Sequence, residues 1–284
     1  MYRVNPRVDL AFKKIFGVEE NKDLLISLIN SIVTKEDQVK EVTLLNPYNP
    51  KSFLNDKISV LDIKAKGESG KMFNIEIQVT DEANYDKRAL YYWAKLYAGQ
   101  LKEGSRYSEL NKTIGIHILN FTGITNIDKY HNIFRLKEDE TGLKYFEDIE
   151  LHTIELNKFA DNIKEELSDI VKKVKNALDI WVAFLTRNDL LNKDKLPKEL
   201  NSKELKKALN VLEVINLSDE EREEYENRLN WLRIEASAVK KMEEKTIEKI
   251  AKKMLIKKRP IEEIMEFTEL PMKEIQRLKD EIEK

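Results

Sequence analysis

The chain has 284 residues, and 50 lysines and arginines against 52 aspartates and glutamates leave a formal net charge of −2. That balance gives no global field for a polyanionic partner, so any basic surface must come from local clustering. The absence of cysteine excludes disulfides, zinc–thiolate sites and cysteine nucleophiles, and it fits a reducing cytoplasm.

Residues 1–35 read as a loop followed by helices. Phe12, Ile15 and Phe16 recur at helical spacing after Asp9, and Leu25, Leu28, Ile29 and Ile32 carry the same period into a second helix. Val42 and Leu44 predict a strand, ended by Asn46-Pro47-Tyr48-Asn49-Pro50. Residues 58–65 and 72–79 are two alternating β-prone runs joined by a short glycine-containing loop, the clearest hairpin signal in the chain. A helix is expected over 84–103, with Leu90, Trp93, Tyr97 and Leu101 on one stripe and Gly104 at its end.

Ile114, Ile116 and Ile118 alternate within a strand over 113–121, and 132–136 and 146–156 are further strands. After Lys158 the pattern is helical. The apolar run 180–185 belongs against the core, the charged segment 219–258 reads as a long solvated helix, and Pro260 and Pro271 start two short helices at 260–267 and 271–283. This order predicts a mixed α/β core with a helical C-terminal part. No apolar run approaches the roughly 20 residues that span a bilayer, and the N-terminus lacks the apolar stretch of a signal peptide. A cytoplasmic protein with no membrane association is expected.

The chemistry concentrates on the hairpin. Side chains alternate faces along a strand, so Val60, Asp62 and Lys64 share one face, as do Asn74, Glu76 and Gln78 on the next strand. An odd-numbered loop centred on Ser69 sets Asp62 across from Glu76, with Cβ atoms about 4.5–5.5 Å apart. Two carboxylates so placed repel unless a hard cation bridges them, and the Ile77 carbonyl offers a further oxygen. The spacing alone equally describes the polar outer face of a solvated sheet. Glycoside hydrolysis also uses two acids, about 5–9.5 Å apart across a sugar cleft, but acids sharing one hairpin suit an ion better.

Asp62 followed by Glu76-Ile77-Gln78 resembles the PD-(D/E)XK nuclease motif, in a form with Gln in place of the usual Lys. Asp9-x-x-Phe12-Lys13-x-x-Phe16, the helix Arg88-Ala89-Leu90-Tyr91-Tyr92-Trp93, and Gly104-x-x-Tyr107 before the strand at 114–121 resemble one branch of it, the recombination-promoting nucleases or putative transposases. The resemblance covers roughly residues 3–160. It implies a restriction-endonuclease-like mixed sheet flanked by helices: a nuclease core at 1–160, a helical extension at 161–240 and a helical tail at 241–284.

The resemblance further implies a Mg²⁺-dependent (or Mn²⁺-dependent) DNA endonuclease that uses a metal-activated water and promotes recombination. Asp62, Glu76 and the Ile77 carbonyl would be metal ligands, and Gln78 takes the place of the motif lysine without its charge. Lys64, about 7 Å along the strand from Asp62, is either a replacement cation or a solvated strand lysine. Asp9 either helps at the metal site or caps its helix. Lys13, Arg88, Tyr92 and Lys95 are candidate DNA contacts, and cutting both strands of a duplex would favour a homodimer. Lys240–Arg259 holds nine basic residues against three glutamates, which suits either a duplex or intrahelical pairs. The helix-turn-helix-like tail suits DNA reading or dimerisation alike. A catalytically silent DNA-binding or regulatory protein that keeps the fold is the alternative, and Gln78 favours it.

Overall fold

The structure is a computed structural model and describes residues 4–47, 62–81, 84–160, 165–215 and 217–282, together with the backbone but not the side chains of 231–233, 235–236, 238–240 and 243. The expected strand residues 58–61 and turn residues 48–50 lie outside the described residues. Two helices open the chain, α1 (Asp9–Phe16) and α2 (Lys22–Ile32), followed by β1 (Val42–Leu44), β2 (Ile63–Gly67) and β3 (Met72–Gln78). Then come α3 (Tyr85–Ala98), β4 (Thr113–Leu119), β5 (His131–Arg135) and β6 (Ile149–Glu155). The remainder is α4 (Leu167–Lys173), α5 (Ala177–Arg187), α6 (Lys203–Val214), α7 (Asp219–Ile256), α8 (Ile261–Thr268) and α9 (Met272–Ile282).

The strands form one mixed sheet in the order β1-β2-β3-β4-β6-β5. β1, β2 and β3 run antiparallel, β3, β4 and β6 run parallel, and β5 returns antiparallel beside β6. Parallel neighbours on both sides bury β4 on both faces, and all seven of its residues are buried. The expected Ile114, Ile116 and Ile118 stripe therefore shows only half of that burial.

One face of the sheet is apolar and carries Ile63, Ala65, Phe73, Ile75, Ile114, Ile116 and Ile154, all buried. α1 packs on β3, and α2 packs on α5 and α6. Phe16 joins the layers, with its ring 4.8 Å from Phe12 and 5.3 Å from Trp181. Each such side chain contributes roughly 1.5–3 kcal/mol by leaving water. At the rim of this face Glu150 is fully buried but fully engaged. Lys112 Nζ (2.9 Å), Arg135 Nε (2.7 Å) and His152 Nε2 (2.7 Å) surround its carboxylate, and these partners hold it well below the usual carboxylate range despite the opposing effect of burial.

α3 covers the opposite, polar face and packs on β3 and β4. Its inward stripe is Tyr85, Ala89 and Trp93, whereas Leu90 is 48% exposed, which corrects the predicted phase. Polar anchors set that phase: Tyr85 Oη lies 3.0 Å from His117 Nδ1, and Trp93 Nε1 donates to the Thr113 carbonyl at 2.7 Å. Ala89 between them permits close approach. The helix also stops at Ala98, so Gly104, with φ +84°, belongs to a separate turn.

The chain divides into two compact units, Met1–Arg228 and Leu229–Lys284. In the second, Ala251, Ile264, Ile275 and Leu278 form a core backed by Met254, Leu255, Ile261, Met265 and Leu270. Glu269, with φ +55°, ends α8 in a left-handed cap before α9 begins. Among the described residues, no helix is long and apolar enough to cross a membrane.

Candidate active site

The hairpin register follows from its turn. Gly67 N–H donates to the Lys71 carbonyl at 2.9 Å and Gly70 N–H to the Gly67 carbonyl at 3.0 Å, which leaves the three-residue loop Glu68-Ser69-Gly70. Gly70 has φ +89°, a backbone conformation that favours glycine. Ile63 pairs with Ile75 and Lys64 with Asn74; Asp62 lies in a bend one residue before β2, and extending the register by that residue would set it across from Glu76. His117 of β4 is the partner of Glu76 on its other side. The polar face thus carries Asp62, Lys64, Asn74, Glu76, Gln78 and His117 in adjoining rows.

Each acid has a cationic neighbour. Lys64 Nζ lies 3.1 Å from Asp62 Oδ2, with the two side chains 30% and 14% exposed. Arg88 from α3 donates through Nη2 to Gln78 Oε1 at 2.6 Å and to Glu76 Oε1 at 3.4 Å, and its guanidinium sits 4.9 Å over the Tyr85 ring. Gln78 Nε2 in turn donates to the Thr80 carbonyl at 3.3 Å. His117, 2% exposed, approaches Glu76 Oε2 to 3.9 Å. Burial, reinforced by His152 and Arg88, lowers its pKa to about 4, so the ring is neutral near pH 7.

The backbone at Asp62 is clamped from two sides. Its carbonyl accepts from Lys13 Nζ at 3.1 Å and from Asn46 Nδ2 at 3.0 Å, while Lys64 N–H donates to Asn46 Oδ1 at 2.7 Å. Lys13 is 1% exposed. Burial, eased by Asp62 and aggravated by Lys64, lowers its pKa to about 8. A residue expected among the phosphate contacts is thus turned inward toward the acid.

Of the other expected residues, Arg88 belongs to the hairpin cluster, Tyr92 is half-buried with its ring 5.6 Å from Tyr91, and Lys95 is exposed. Asp9 is the first residue of α1, which begins after Val8. Its carboxylate accepts from Leu10 N–H at 2.8 Å and pairs with Arg228. Asn46, Tyr85 and His117 escaped the sequence analysis: Asn46 read as a turn residue, and neither aromatic ring stands near the motif in sequence. The one available signal was His117 alternating with the isoleucines of β4, at the level of Glu76 in a parallel pair.

These donors fit a hard divalent cation. Asp62 and Glu76 would supply carboxylate oxygens to such an ion, and the Ile77 carbonyl a further one. No group of three or more acidic or histidine side chains converges among the described residues. Asn74, two residues before Glu76 on the same face, is 1% exposed with neither amide atom partnered among the described residues. Buried polar atoms in that state call for ordered water or a ligand.

A mixed sheet flanked by helices, with an acid pair on one of its hairpins, defines the nuclease-like class of α/β folds. The family model for the PD-(D/E)XK nuclease family transposases matches residues 6–242, and the chain belongs to that family. No curated protein and no solved structure matches it.

Proposed function

We propose that the protein is a divalent-metal-dependent DNA endonuclease, with Mg²⁺ as its ion and Mn²⁺ as a substitute, that promotes DNA recombination. The observation that supports this reading is the hairpin register: Ile63 pairs with Ile75 and Lys64 with Asn74, so one further step would bring Asp62 and Glu76, both half-buried, to opposed positions. When bound, the ion would polarise the phosphate and lower the pKa of an attacking water. Asp62, Glu76 and the Ile77 carbonyl would hold it.

Lys64 is the cation for the scissile phosphate: it is close to Asp62 and exposed enough to reach a second anion. Lys13 and Asn46 are positioning residues that fix the Asp62 backbone. Gln78 keeps Arg88 beside Glu76 and orients the water by hydrogen bonding, a task that needs no positive charge. Tyr92 and Lys95 extend from the cluster along α3 to contact the DNA backbone, and a homodimer would cut both strands.

Supercoiled plasmid incubated with the purified protein and Mg²⁺, Mn²⁺ or EDTA tests this. Metal-dependent nicking should fall at least a hundredfold in Asp62→Ala and in Glu76→Ala. Retention of nicking in both variants would refute the assignment.

One observation favours a second reading, a catalytically silent DNA-binding protein. The Lys64–Asp62 and Arg88–Glu76 pairs supply each acid with a positive neighbour without any metal. DNA binding with no cleavage under any of the metals would establish it.

A further inference from the structure

Beside Glu76, on the same face of the sheet, lies a cavity of about 490 Å³ that the acid pair does not use. Tyr85 and Ala89 of α3, Leu119 and His117 of β4, Phe121, Phe134 and Leu151 wall it, with Asp81, Asn84 and Asp86 also in its lining. Its volume falls within the about 300–1,000 Å³ typical of small-molecule pockets. His117 touches both sites, since it lines the cavity and approaches Glu76 Oε2 to 3.9 Å.

We propose that this cavity receives an unstacked nucleobase of the DNA strand being cut. The proposal rests on the nuclease reading for the identity of the strand, but its chemistry stands on the cavity itself. Three observations specify the occupant. The walls are aromatic and aliphatic, with Tyr85 and Phe121 edge to face at a centroid distance of 6.0 Å, which suits a flat ring. Two lining residues, His117 and Thr153, each carry a buried polar atom (Nε2 and Oγ1) with no hydrogen-bond partner among the described residues, and the edge of a base turned toward them would supply one. No lysine or arginine lines the cavity while Asp81 and Asp86 do, so the phosphate must stay outside, toward Lys64 and Arg88.

The wall is also built in advance. Glu155 Oε1 accepts from the N–H groups of Gly123 and Ile124, and Lys158 Nζ donates to the Ile124 carbonyl at 2.6 Å. A preformed pocket lowers the cost of ordering on binding. A base held there would leave the strand kinked beside the acid pair, with the unpaired or mismatched base as the cheapest to extract.

The test is binding by the full-length protein, in EDTA, of dAMP, dCMP and deoxyribose 5-phosphate, followed by saturation-transfer NMR. Saturation should reach the base protons of both nucleotides, and the base-free sugar phosphate should bind at least tenfold more weakly. Ala89→Leu, which fills the cavity, should weaken dAMP binding at least tenfold. The near-isosteric Thr153→Val should weaken it severalfold with an unchanged melting temperature. Asp62→Ala should bind dAMP as the parent does, so a protein that fails to cut DNA can still pass this test. Equal binding of deoxyribose 5-phosphate, no binding of either nucleotide, or unchanged affinity in both cavity variants would overturn the proposal.

Discussion

Arg88 Nη2 donates to Gln78 Oε1 at 2.6 Å. The position where the superfamily motif carries lysine therefore faces a guanidinium from α3, and a lysine there would oppose it. Like charges about 4 Å apart repel by about 1 kcal/mol in water and about 4 kcal/mol at a partly buried site. Gln78→Lys should lower the melting temperature by several degrees and reduce cleavage, despite restoring the motif. Adding Arg88→Met should recover the stability. Thermal melts of the single and double variants check the pair.

Lys13 and Lys64 should fail in different ways. Lys13 acts on the Asp62 backbone, so Lys13→Met should raise the Mg²⁺ concentration needed for half-maximal cleavage by about 10–100-fold, as loss of an outer-shell contact does. Lys64→Ala should leave that concentration near its parent value and lower the saturated rate by about 10²–10³-fold. Metal titrations of plasmid nicking separate the two, and matching changes in both variants would contradict the division of roles.

Glu150 tests the other face of the sheet. Glu150→Ala leaves Lys112, Arg135 and His152 around a buried vacancy, and removing one member of such a network costs about 3–5 kcal/mol. The urea midpoint should fall accordingly, with little change in the denaturant dependence.

Two histidines make the fold acid-sensitive. His131, with Nε2 2.9 Å from His152 Nδ1, is lowered by burial and by His152 to a pKa of about 4, and His117 is lowered to about 4 as well. An unfolded histidine titrates near 6.5, so between pH 6.5 and 4 the unfolded chain takes up protons that the native state refuses. Stability is therefore complete above about pH 6.5 and declines as the pH falls toward 4, by up to about 1.4 kcal/mol per pH unit for each histidine. His131→Asn should roughly halve the slope of stability against pH between 5 and 6. Chemical denaturation across that range gives the slope, and an unchanged slope would remove His131 from the account.

The β2–β3 hairpin was legible because alternation and loop length are local: a three-residue loop suffices to pair Ile63 with Ile75 and Lys64 with Asn74. The helix over 85–98 was legible as a helix but not in phase. Its orientation depends on a tyrosine reaching His117 and a tryptophan reaching the Thr113 carbonyl, contacts that no helical period encodes. Lys13 was misplaced for a related reason. A lysine on a short amphipathic helix is ordinarily solvated, and only the carbonyl of Asp62, 49 residues away, explains its burial. Strand order was hidden as well: β6 lies beside β5, which stacks His131 on His152, 21 residues apart in sequence, with ring centroids 5.2 Å apart.

Residues 5–14 are fastened to residues 221–228 within the first unit. Asn5 N–H donates to Tyr225 Oη at 2.8 Å, Asp9 pairs with Arg228, and Lys14 Nζ meets Glu221 Oε2 at 2.6 Å. Lys13, which grips Asp62, sits on the helix those contacts secure. A ribosome adding about 5–20 residues per second needs on the order of ten seconds or more to supply the fastening segment. Through that interval the helix that steadies the acid pair lacks its anchors, so the nascent chain carries an unfinished site until Arg228 has been added.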